Sequence, residues 1–524
     1  MRINDFDEEF NFKKKSSSNT LFIIKIVFII FAIFAILSSV LFITKTGSSD
    51  SYEMEEKGER YGNSEFIKYQ GKISVPVPSG GRYFLNGVDI NSFRTLNSGD
   101  RDTRIIGLDK NHVYFGNIAI SDLDPNKLEV IGNGYYTDGT TTYFCSPLSE
   151  RNENLSTPME ILQSLIYSFS RTKKPQTYIY PYKKVETNKN LRAVQNFSFF
   201  ATDGEKVYYK GEILENADLN TLKSVDGYNE YFADKENVYY QSKLLPIKNS
   251  GKLMVVSTEQ GDEFLYDDAN GYVFIEDYSF DREKAPYKVI GNNGSHLYNL
   301  AFVNNEGIYY YDNQEKEQLK AGDNIFIRNV EEISPNIFTD DKNIYYFHAY
   351  NVWKRYKNAG DVLFSQNTEI CYLDKKDGWE KVKDIREGSI GSIWKKENKY
   401  YYFNNLGIFN SIDNTVYKIS DKETLNYLLS KADDETDDIK SEGLTAINTD
   451  YIRELIKNEK LIAVSGEKKM TITIKYKTDI VDKIFKYSIR IFLVVYFIFI
   501  IFKNFRKSRR ISNENKWFWW EFKI

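Results

Sequence analysis

The sequence predicts a mainly β chain of tandem β-hairpin repeats, about 33 residues each, flanked by two transmembrane helices. Three observations carry this expectation: a seven-residue motif that returns in phase, an excess of aromatic residues, and an uncharged apolar run near each end. At this level the repeats could form an open, solenoid-like array or close into a propeller-like ring.

The motif comes first. Asp109-Lys110-Asn111-His112-Val113-Tyr114-Phe115 is the first clear copy. Five more start at Asp138, Asp203, Asp234, Asn304 and Asp340, and place Tyr143, Tyr208, Tyr239, Tyr309 and Tyr345 at position six. In all six, position five is β-branched and position seven is Tyr or Phe. Looser copies begin at Pro78, Lys173, Asp267, Asp374 and Lys395. The starts from Pro78 to Asp374 are separated by 31, 29, 35, 30, 31, 33, 37, 36 and 34 residues, which sets the period. At 16% aromatic content, an adjacent aromatic pair falls by chance at only ~3% of positions, so an in-phase series is structural.

The unit has a readable physics. Asp, Lys, Asn and Gly before a β-branched residue mark a tight turn, in which the Asp side chain can bond backbone two residues on. The following Val-Tyr-Tyr favours a strand. Val238 and Tyr240 would face one way and Tyr239 the other, so both faces are large and need cover, which stacked neighbours can supply. The motif tyrosines are therefore expected in the core.

A second pattern fills the gaps: Asp89, Phe93 and Leu96; Asp124, Leu128 and Ile131; Asp218, Leu222 and Val225. Together the two patterns resemble the DKNYY family of bacterial repeat proteins, whose unit reads as D-K-x-x-V-Y-Y followed by A-D-x-x-T-F/L-x-x-L. The nearest stretch runs from Asn216-Ala217-Asp218 to Val238-Tyr239-Tyr240. The resemblance spans residues 76–410, strongest up to 245. It implies a β-rich repeat and brings no catalytic residue with it.

The ends read as membrane anchors. Residues 21–43 contain an 18-residue uncharged run from Ile26 to Ile43, about 27 Å of helix and enough for a bilayer core. Without a small-residue cleavage site after it, this is an uncleaved signal anchor. Residues 484–502 are also expected to span, with Lys486 and Arg490 snorkelling near one interface; the alternative is a surface or buried helix. Lys13, Lys14 and Lys15 precede the first span, and Lys503, Arg506, Lys507, Arg509 and Arg510 follow the second. Both tails, 1–20 and 503–524, are therefore expected in the cytoplasm with the central region outside. Trp517, Trp519 and Trp520 would sit in the headgroup layer.

The expected organisation is a linker at 44–75, the repeats at 76–410, and an acidic linker with a small α/β segment at 411–482. The repeats carry a helical insertion near 157–170, where Thr157-Pro158-Met159-Glu160 reads as a helix start.

Chemistry is sparse. His112, His296 and His348 lack metal-ligand spacing, Cys145 and Cys371 have no C-x-x-C partner, and no phosphate, dinucleotide or hydrolase motif occurs. No enzyme, cofactor or metal is expected. A net charge of -4 makes nucleic acid a poor partner. Besides the lipid bilayer, the expected partner is a protein docking on a non-enzymatic interaction scaffold. The alternative is a cell-wall glycan held on tyrosine ladders.

Overall fold

A computed structural model describes residues 49–96, 101–170, 174–228, 230–258, 260–291, 297–356, 360–407, 410–433 and 447–476. The apolar segments 21–43 and 484–502, both tails, His296 and most of the acidic linker lie outside the described residues. Among the described residues no helix is long and apolar enough to cross a membrane.

The fold is mainly β, built of many small antiparallel sheets. Among the described residues nine sheets of four or five strands, numbered 1 to 9 in chain order, follow one another, and within each the strands neighbour one another largely in sequence order. The expected hairpin is the middle pair of such a meander. In sheet 2 it joins Ile106–Leu108 to Val113–Phe115, and Arg94–Thr95 and Ile118–Ile120 add the outer strands. The other clear motif copies occupy the same turn. Asp138 and Asp203 lie in sheets 3 and 4, Asp234 in sheet 5, Asn304 in sheet 7 and Asp340 in sheet 8.

Two looser copies dissolve. The copy at Lys173 starts outside the described residues, and its Tyr178 falls in an insertion, where Glu150–Arg151 pairs with Tyr178–Ile179 around helix α1, Thr157–Ser170. Asp374 lies at the end of a sheet 8 strand, and the corresponding turn of sheet 9 comes at Glu397, between Gly391–Lys396 and Lys399–Asn404. The sheets also begin before residue 76, since sheet 1 starts at Glu59–Arg60.

Strand alternation turns this connectivity into layers. The chain divides into two compact units, one containing residues 1–213 and the other 214–478. In the first, Tyr114 packs with Phe66, Ile73 and Val75 of sheet 1, while Val113 and Phe115 pack with Tyr136, Tyr143 and Cys145 of sheet 3. Tyr135 and Phe144 on the other face of sheet 3 then meet Ala201 and Tyr208 of sheet 4. The second unit repeats the rule. Val238 of sheet 5 joins Leu265 and Phe274 of sheet 6, whose middle strands are Glu263–Asp267 and Tyr272–Ile275 and whose opposite-facing Phe264 and Val273 join Phe302 of sheet 7. Ile308 joins Phe338 and Tyr345 of sheet 8, and Ile344 and Tyr346 join Trp394 and Phe403 of sheet 9. A fully buried side chain of this size contributes roughly 1.5–3 kcal/mol, so each sheet is stable chiefly through its neighbours.

Helices cover the outer faces. Leu425 and Leu428 of α2, Lys422–Ser430, and Ile452 and Leu455 of α3, Thr449–Lys457, pack on Ile393, Tyr402 and Tyr417 of sheet 9. Thr449 is the first residue of α3, and Asn448 caps it by accepting the Tyr451 amide at 2.9 Å. Beyond α3, Leu461–Ala463 and Glu467–Lys475 become the fifth strands of sheets 9 and 8. On sheet 1, the helix Ser49–Lys57 sets Glu55 against the buried Arg82 guanidinium, which also donates to Ser74 Oγ at 3.2 Å.

Candidate functional site

The motif residues form a latch inside each sheet. Asp109 Oδ1 accepts the amides of Asn111 and His112, both at 2.7 Å, while its own amide donates to the His112 carbonyl and closes the turn. Oδ2 looks inward and accepts the Tyr114 hydroxyl and the Asp89 amide, both at 2.9 Å. Asp89 belongs to the second sequence pattern, so one carboxylate ties both patterns together. Lys110 completes the link: its amide donates to Ser92 Oγ at 3.1 Å and its ammonium pairs with Asp89 at 2.5 Å. In sheet 5, Asp234, Tyr239, Asp218, Lys235 and Thr221 repeat the arrangement.

Burial alone would push the Asp109 carboxyl up, but the amides around it and the Tyr114 hydroxyl outweigh burial and hold it below the usual carboxylate range. The same balance lowers Asp138, Asp203, Asp234 and Asp340. Burial and the facing carboxylates push the Tyr114 and Tyr239 hydroxyls up, and Tyr345 to about 12.

Variants of the latch follow their chemistry. Tyr208 and Tyr345 reach Asp203 and Asp340 at 3.0 and 3.1 Å. Tyr143 instead donates to Asp122 at 2.8 Å, leaving Asp138 to the Asp124 amide and the turn. At Asn304 the Oδ1 still accepts two turn amides, but the Nδ2 cannot accept and donates to the Lys284 carbonyl. Each pair serves its own sheet, and the pairs do not converge on a shared site. The bases and aromatics of 173–184 are also engaged where described: Lys183 pairs with Glu212, Lys184 with Asp122, and Lys174 lies over the Tyr83 ring.

An open cleft of 560 Å³ lies in the second unit, at the strand ends opposite the motif turns. Asp226, Tyr228 and Glu230 come from the first turn of sheet 5, Asp262 and Glu263 from that of sheet 6, and Tyr240 and Glu276 complete the wall. Tyr240 donates to Glu230 at 3.3 Å, and the Val255 amide donates to Asp226 at 2.7 Å. Burial raises the Asp262 carboxyl against a hydrogen bond from Asn313; burial and then Glu230 raise Glu263. Carboxylates between tyrosines suit a polyhydroxylated or cationic ligand. Sequence reasoning missed this cleft because its acids sit outside the motif; the available signal was the acid-Gly or Gly-acid pairs in the turns, Asp226-Gly227 and Gly261-Asp262. Among the described residues no group of His, Cys, Asp and Glu is placed to hold a metal ion.

Residues 66–243 match the model of the DKNYY family. That stretch runs from sheet 1 to the start of the last strand of sheet 5, whereas the same meander continues through sheet 9. No curated protein matches the chain. Among solved structures, the crystal structure of the tricorn protease is 11% identical, with a TM-score of 0.13, over 78% of this chain and 45% of that one. A likeness that weak carries no argument.

Proposed function

We propose that this chain, which carries a DKNYY family domain over residues 66–243, is a membrane-anchored scaffold without catalytic chemistry. It crosses the bilayer at 21–43 and 484–502, keeps both tails in the cytoplasm and displays its sheets outside. The observation that supports this is where the motif side chains go: Asp109, Tyr114 and their equivalents are spent inside the sheets. What the repeats offer a protein partner is then a run of strand edges and turns, as stacked repeats commonly do. The helices on the second faces of sheets 1 and 9 favour an open array within each unit, since a ring would need sheet against sheet there.

The acidic cleft favours a second reading, a wall-glycan binder. In that reading sugar hydroxyls donate to Glu230 and Glu263 and a ring lies on Tyr228, while the buried motif tyrosines take no part. Two experiments test these readings. Protease added to intact protoplasts should digest the region between the spans, and full protection would remove the topology. Detergent-solubilised full chain should not sediment with purified cell wall; retention that is lost in Glu230→Gln and Tyr228→Ala would replace the scaffold with the glycan binder.

A further inference from the structure

The middle hairpin of sheet 8 reaches beyond its neighbours. Its strands, Asn343–Tyr356 and Gly360–Lys375, run 14 and 16 residues. Their bases are sandwiched, with Ile344, Phe347, Ala349, Ile370 and Cys371 buried. From Trp353 onward the ribbon leaves the stack: Lys354 and Arg355 are exposed, Trp353 is exposed to 57%, and Val362, Leu363 and Phe364 on the opposite strand are half-buried. Trp353 stands opposite Leu363 and Lys354 opposite Val362, and the Lys354 ammonium lies 3.1 Å from the centroid of the Phe364 ring. The one acid here is Asp361, 4.0 Å from Arg355.

The chain's own path gives this ribbon a direction. Strand Glu467–Lys475 pairs antiparallel with residues 365–372 and so runs toward the tip. Its last pair is Lys475 with Ser365, after which the Tyr476 amide donates to the Phe364 carbonyl at 3.0 Å. The chain thus leaves the described residues at the foot of the exposed ribbon, heading the same way. The apolar segment starts at Ile484, eight residues on, within about 28 Å of extended chain.

We propose that Trp353, Lys354, Arg355, Val362 and Phe364 form a second, peripheral membrane anchor, which beds the tip in the anionic headgroup layer of the outer leaflet. The proposal depends on reading 484–502 as a span. Indole prefers the interfacial zone, and lysine and arginine reach from apolar stems to lipid phosphates. Paired with the exit of the chain, such a tip holds the second unit at a fixed attitude to the bilayer.

The test uses full-length chain in vesicles of phosphatidylethanolamine with and without phosphatidylglycerol. Cys145 and Cys371 are buried, so Trp353→Cys and, separately, Arg355→Cys take an environment-sensitive fluorophore selectively. Leu244→Cys, at a position 39% exposed on sheet 5, is the reference. Alkaline extraction, and labelling of Ser508→Cys in intact protoplasts with a membrane-impermeant maleimide, are scored first; release of the chain, or labelling at position 508 from outside, overturns the span and the tip with it. In a retained chain, lipids spin-labelled near the headgroup should quench both tip probes severalfold more than the reference, and less when phosphatidylglycerol is omitted. Equal quenching at tip and reference overturns the anchor while leaving the span intact. A tip probe shielded in cells yet unquenched in vesicles also overturns it and assigns the tip to a protein.

Discussion

The Tyr114 hydroxyl donates to Asp109 Oδ2 at 2.9 Å, five residues back across the turn that joins the two middle strands of its sheet. The bond recurs between Tyr208 and Asp203, Tyr239 and Asp234, and Tyr345 and Asp340. It couples a turn to a core: the carboxylate that shapes the backbone also fixes a ring wedged against the adjoining sheet. A repeat protein in which each sheet leans on its neighbours needs that coupling, because register and stacking are then set together.

The partners in this bond should be separable by mutation. Tyr239→Phe keeps the ring and loses one hydrogen bond, so about 0.5–1.5 kcal/mol is expected. Tyr239→Ala also opens a cavity and should cost about 3–5 kcal/mol. Urea unfolding of the three proteins reads the difference. Equal losses for Phe and Ala would mean that the ring carries nothing.

The low pKa values of Asp109, Asp138, Asp203, Asp234 and Asp340 make the fold sensitive to acid. A carboxyl depressed in the folded state contributes stability that is full above its unfolded value, near 4, and drains away as pH falls through the folded values. Urea midpoints should therefore drop steeply below about pH 4. Asp234→Asn should lower the midpoint at neutral pH, because an amide nitrogen cannot accept from Tyr239 or Asp218, as Asn304 already illustrates. It should also flatten the acid slope. An unchanged slope would show that Asp234 is not part of the acid response.

The middle strands were legible because a turn-forming acid and a β-branched aromatic strand lie within seven residues, so composition and spacing agree locally. The outer strands were not. Arg94–Thr95 and Lys223–Ser224 are two residues long, too short for any alternation to show. Strand Glu467–Lys475 alternates visibly, yet its partner lies about a hundred residues earlier, and a pairing that distant leaves no local mark. The acidic cleft failed for a third reason: its carboxylates come from different turns and become neighbours only when sheets 5 and 6 stack.

The cleft makes its own prediction. Asp262 is raised by burial, so its charged form is disfavoured in the fold, and the stability it contributes is present at low pH and lost as pH rises above the unfolded value. Asp262→Asn should therefore raise the thermal midpoint at pH 7 and leave it nearly unchanged at pH 3. A lower midpoint at pH 7 would show that the ionised carboxylate is needed there.

Cys145 and Cys371 give each unit a private reporter. Cys145 lies between sheets 2 and 3 and Cys371 between sheets 8 and 9, both buried and unbonded. Burial pushes both thiols up, Cys371 to about 11. The thiolate is the reactive form, so neither should react with an aromatic disulfide reagent at pH 8 while its sheets stay stacked. Labelling across a urea series, followed by peptide mapping, should give two curves, Cys145 reporting on the unit that contains residues 1–213 and Cys371 on 214–478. Rapid labelling of either thiol in native protein would contradict the stacking of its sheets. A peptide that joins the two cysteines under non-reducing conditions would contradict the packing of both units.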